Sequence, residues 1–224
     1  MRYKKKEEES LKFGNDYGMN KIRRETKRWI IENGLPYFDA LPYLDEFKCI
    51  RLSTQITARC NILNLFLAVA DDNNAISFVR QVVEKNDLKN HLSLREKNVL
   101  KNDSTTAQEK IDFSWYQESL LTFLWALNIF ESLDDFTSEA DFSQVDDKIP
   151  PRVSFDDFNA KADLRQDSQI IEYLDKYYYL HWLSKRETSG LDKLLNTSII
   201  RERRKSLEWI LNCESDWDDI VLDT

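Results

Sequence analysis

The chain has 224 residues, of which 42% are hydrophobic and 12% aromatic, and a formal net charge of −8. That length suits one large domain with an ample core. No run approaches the ~18 uninterrupted apolar residues of a membrane span, and the opening MRYKKKEEES lacks the apolar centre of a secretory signal.

Glycine and proline number only four each. Sandwiches and barrels need a turn residue every ~8–12 positions, so the composition predicts an all-α fold: a single-domain irregular helical bundle. Cys49, Cys60 and Cys213 are odd in number, widely spaced and without a C-x-x-C pair. This argues against a disulfide framework and a structural zinc, and agrees with a reducing, cytoplasmic setting. Charge is unevenly spread. Residues 131–163 carry ten acids against Lys148, Arg152 and Lys161, and 214–223 carry five acids and no base. Such a surface repels phosphate backbones and favours a basic protein partner, which leaves no expected role for nucleic acid or a membrane.

In chain order, residues 1–20 mix a Lys block with a Glu block and two glycines, and read as a flexible arm ahead of one helical domain over 21–224. A helix from about Asn20 to the stop signal Asn33-Gly34 comes first, then an extended connector with two Leu-Pro steps. A helix over Ser53–Ala70 follows, and another carries Ile76, Val79, Val82 and Val83. Ser93-x-x-Glu96 has the form of a capping box. Phe113–Phe130 is apolar around most of its circumference and predicts a buried central helix with the last two long helices packed on it. Ser132–Pro151 reads as a long acidic loop, and Ser154-x-x-Asp157 as a helix start. Long helices are expected over Leu164–Glu187, ended by Ser189-Gly190, and over Thr197–Asn212, leading into a tail that holds Trp217 among Asp216, Asp218, Asp219 and Asp223.

Three segments in series carry a family likeness. They are Trp115-x-x-Glu118 running into Leu124-Trp125-Ala126-Leu127; Leu164-Arg165, Ile171-Glu172-Tyr173-Leu174-Asp175 and His181-Trp182; and Glu202-Arg203-Arg204, Leu207-Glu208-Trp209, Trp217-Asp218-Asp219 and Asp223-Thr224. With Gly34-Leu35-Pro36 and Ala58-Arg59 upstream, the chain resembles the bacterial family known as domain of unknown function 4272 over about Lys21–Thr224. The resemblance implies a mostly helical cytoplasmic bacterial domain and brings no catalytic residues with it. Two positions depart from the pattern: Asn128 stands where the family has glycine, and Tyr179 where it often has arginine.

Several chemistries lack their residues. There is no phosphate-cradling glycine loop, no G-x-S-x-G elbow and no H-E-x-x-H pair, and His91 and His181 are the only histidines. No cofactor is expected. On the helix after Leu164, Glu172, Asp175, Tyr179 and Trp182 fall within one quarter of the surface, with His181 on the adjoining face. Two readings follow. In the first, Trp115, Glu118, Arg165, Glu172, Asp175, Trp182, Arg203, Trp209, Trp217, Asp218 and Asp223 form a structural polar and aromatic cluster. The acids would be held by Arg165, Arg201, Arg203 and Arg204, in a non-enzymatic protein-binding, regulatory or immunity-type module. In the second, Glu172, Asp175 and His181 serve a small hydrolase or transferase, with a divalent metal held by Glu172, Asp175 and Asp218 or Asp223. The tail tryptophans are expected to anchor the chain end in either case.

Overall fold

In the computed structural model, which describes residues 16–45, 47, 49–186, 191 and 194–223, helices form where capping residues meet apolar stripes. The all-α expectation holds: among the described residues the only β pairing is an isolated parallel bridge between Cys49 and Asn212. Helix α1 spans Asp16–Glu32. It starts four residues earlier than Asn20, so residues 16–20 belong to the helix and not to an arm; residues 1–15 lie outside the described part. Gly34 adopts φ +71°, which lets its N–H reach Ile31 and the Leu35 N–H reach Ile30. This left-handed stop satisfies carbonyls that the helix end would leave bare.

Helix α2 (Ser53–Asp71) and α3 (Ala75–Lys85) follow as expected. The Ser93 capping box is present: Ser93 accepts from the Glu96 N–H and opens α4 (Leu94–Asn102). The predicted 113–130 helix is broken. Helix α5 (Ala107–Ser114) starts at a second capping box, Thr106 with Glu109, and α6 (Tyr116–Ala126) follows after a tight turn at Trp115. There the Glu118 N–H bonds the Trp115 carbonyl, three residues back. The helix stops short of Asn128, which has positive φ, and Arg165 binds its last carbonyls. The Arg165 N–H bonds Ala126 O at 2.8 Å, and Arg165 Nε bonds Trp125 O at 2.6 Å.

Helix α6 is still the centre. Every residue from Glu118 to Leu127 is buried. It packs between α2 and α9 (Thr197–Leu211), and α2 also carries α3, α5 and α7 (Phe155–Lys161). Helix α8 (Asp167–Ser184) lies against α9 and α1, so it joins the centre chiefly through α9. The stop expected at Ser189-Gly190 falls outside the described residues. No helix among the described residues is long and apolar enough to cross a membrane.

The expected acidic loop is a pinned strap. Leu133, Phe136, Val145 and Ile149 are buried, and two short 3-10 turns occupy Phe142–Gln144 and Asp146–Lys148. The cysteine reading is corrected as well. Cys49 and Cys213, 164 residues apart, are disulfide-bonded. Sequence spacing could not show the pairing, because the connector and the end of α9 meet only in the fold. The bond removes the cysteine argument for a reducing compartment. Cys60 is free and buried, and burial pushes its thiol pKa up, away from the reactive thiolate.

Candidate functional site

The polar stripe of α8 is divided among three sets of neighbours. Asp175 is fully buried and receives Arg23 through Nη2 at 2.8 Å and Nε at 3.0 Å. The same guanidinium donates to the Leu41 and Pro42 carbonyls. Glu172 pairs with Lys176 along the helix at 2.9 Å. His181 turns elsewhere: its Nδ1 accepts from Arg204 Nη1 at 2.8 Å. Burial, then the charges of Arg204, Lys185 and Arg201, pull its pKa down to about 4. Glu172, Asp175 and His181 therefore do not converge on a shared reacting atom. Tyr179 uses its hydroxyl to bridge the Phe38 N–H and the Pro36 carbonyl. Trp182 stacks under Arg186, 3.8 Å from its ring centroid.

The arginines expected to hold Asp175 do other work. Arg203 pairs with the fully buried Glu118 at 2.7 Å and with the Tyr177 hydroxyl, and it bonds the Asp135 carbonyl on the strap. Arg165 ties the end of α6 to the strap through the Phe130 and Glu131 carbonyls. Arg204 bonds the Asp223 carbonyl at 3.0 Å, while Arg201 is exposed. Asp175's true partner, Arg23, lies on a face of α1 with buried Ile22, Thr26 and Ile30. An arginine within an apolar stripe was the signal for it.

A second buried pair escaped the sequence reading altogether. Arg59 and Glu96, 1% and 0% exposed at the side chain, share two parallel bonds of 2.7 and 2.8 Å. Burial works against the Arg59 charge, but Glu96, with Tyr116 and Asp218, outweighs it and holds the guanidinium pKa above its ordinary value. The tail closes over this pair. The Trp217 ring lies 4.5 Å from the Arg59 guanidinium and edge-on to Trp209, Phe123 and Tyr116. Asp218 accepts the Arg95 N–H at the start of α4. Trp115 sits half-buried at the α5–α6 joint. The eleven residues read as one cluster thus fall into separate groups on different helices.

Among the described residues, no three His, Cys, Asp or Glu side chains stand together as a set that could hold a metal ion. Glu172 and Asp175 are engaged by Lys176 and Arg23, while Asp218 caps α4. The metal-assisted arrangement has no ligand set there.

Two other features stand out. The strap and α7 present acids over residues 131–163, and all ten are exposed. A cleft of about 840 Å³ lies between the starts of α4 and α9, the end of α8 and the tail, and His181 is in its wall.

This all-helical arrangement, with a central α6 and a tail folded back over it, defines the class. The sequence model described as "Domain of unknown function (DUF4272)" matches residues 23–220, and the chain belongs to that family. No curated protein and no solved structure matches it.

Proposed function

We propose that this chain is a non-enzymatic binding module, regulatory or immunity-type, that engages a basic protein partner through its acidic strap. One observation carries this reading. Ten carboxylates over residues 131–163 all face solvent, while Leu133, Phe136, Val145, Ile149 and Phe158 from the same stretch are buried as anchors. The segment between them is held as well as anchored. Tyr177 donates to the Leu133 carbonyl at 2.6 Å, and buried Glu118 accepts the Ala140 N–H at 2.6 Å. Asp135 is tied into its own turn by Thr137 and Ser138. A charged surface ordered in advance loses little entropy on docking, and its field steers an oppositely charged partner.

The test is titration of a fluorescent arginine-rich peptide with the full chain and with the variant Asp146→Asn, Asp147→Asn, Asp156→Asn. None of these side chains is used to hold the strap. Binding that weakens with salt, and that falls in the variant while its melting temperature stays unchanged, supports the reading. Equal binding by both proteins, or none at low salt, overturns it.

A further inference from the structure

We propose that the cleft beside His181 binds a phosphorylated small molecule. Its wall runs counter to the rest of this acidic chain. Among the described residues, Arg95, Lys185, Arg201 and Lys205 line it, against one acid, Asp218. Arg95 is compensated by Asp112 and Glu109, and Asp218 already caps α4. Among the described residues, no carboxylate stands within ion-pair distance of Lys185, Arg201 or Lys205. The nearby Glu202 accepts from the Ser119 hydroxyl at 3.4 Å, and its charge partly offsets those of Lys205 and Arg201 without a direct ion pair. Lys205 is held in place by lying 4.3 Å over the Trp217 ring.

His181 makes the second, independent observation. It is 3% exposed, yet one ring nitrogen has no partner among the described residues. Arg204 can only donate, so Nδ1 accepts and the proton sits on Nε2. His181 thus lines the cleft with a fixed tautomer, its Nε2–H bonded by no described residue. Burial first, then the charges of Arg204, Lys185 and Arg201, act to keep the imidazole uncharged. Thr197, the first residue of α9, adds a hydroxyl, while the Ser198 and Ile199 N–H groups behind it are already taken by the Asn196 side chain.

These groups are all donors, which suits the several acceptor oxygens of a phosphate. The volume of about 840 Å³ is far more than a bare ion fills, and Leu94, Ile220 and Leu222 supply an apolar wall for the body of the ligand. A mononucleotide or sugar phosphate fits both halves.

The experiment is calorimetric titration of the full chain, in low-chloride buffer, with inorganic phosphate, ribose 5-phosphate, AMP and adenosine. The expected result is binding of AMP or ribose 5-phosphate more tightly than phosphate, with no binding of adenosine. Arg201→Gln should weaken it about tenfold or more, while Lys148→Gln on the strap leaves it unchanged. Arg201 is exposed, so the variant is expected to melt like the parent; Lys185→Gln is the second variant if it does not. No heat with any phosphate probe at millimolar concentration overturns the proposal. So does equal affinity in the cleft variants and the parent, or equal loss in Lys148→Gln.

Discussion

At the scale of single residues, the stop of the central helix is informative. Asn128 occupies a position with φ +56°, and the Asn128 and Ile129 N–H groups close the end of α6 onto Trp125 and Leu124. Glycine is the default for such a stop, and asparagine is the residue that best tolerates it. Asn128→Gly is therefore expected to stay within ~1 kcal/mol of the parent, losing only the bond to the Asp163 carbonyl. Asn128→Val should cost more than ~1–2 kcal/mol; denaturant unfolding measures both. Buried pairs are sharper still. Glu96→Gln leaves the Arg59 charge stranded and should cost ~3–5 kcal/mol. That pair could not be read from sequence, because Glu96 already had a sufficient local explanation as the capping partner of Ser93, and pairing across 37 positions leaves no local trace. His181 sets a pH dependence. Its folded pKa, about 4, lies below the unfolded value of ~6.5, so the unfolded chain binds the extra proton. Stability from this group is complete above pH ~6.5 and is lost as pH falls toward 4, by roughly 2–3 kcal/mol. His181→Asn should flatten that part of the profile between pH 7 and 4.5, and an unchanged slope would show that the imidazole titrates freely.

At the scale of elements, what was legible was what punctuation and periodicity encode. Gly34, Ser93 and Ser154 mark helix ends where the structure has them. The break at Trp115 was missed although Thr106-x-x-Glu109 announced a helix start upstream of it; the unbroken apolar run masked the signal. The tail was read as docked, and its anchor is now specific. Trp217, 3% exposed, sits between Arg59, Lys205 and three aromatic rings. Trp217→Ala should cost ~3–5 kcal/mol, and truncation after Asp216 at least as much; a truncated chain that unfolds like the parent would contradict this. Nearby, Arg51 holds the end of α9 through the Trp209 and Asn212 carbonyls and lies 3.8 Å over the Trp209 ring. Its desolvated guanidinium is lowered to about 10. The Cys49–Cys213 bond closes the same junction. Closing a loop this long is worth up to ~5 kcal/mol in the chain-entropy view, so reduction should lower the melting temperature, and Cys49→Ser should match the reduced parent.

At the scale of the whole molecule, charge is sorted. The acids of the strap look outward, while a cleft formed by α4, α8, α9 and the tail gathers cations. Sequence showed the first half directly, as a local excess of acids over residues 131–163. It could not show the second, because Arg95, Lys185 and the Arg201–Lys205 pair come from three helices that only tertiary packing brings together. The function proposed for the strap depends on its acids rather than on the core beneath them. The direct measurement is a comparison of the proteins retained from the native host by the intact chain and by Asp146→Asn, Asp147→Asn, Asp156→Asn. The predicted result is a basic protein retained by the first, released by salt and absent from the second. The same proteins retained on both would contradict the assignment.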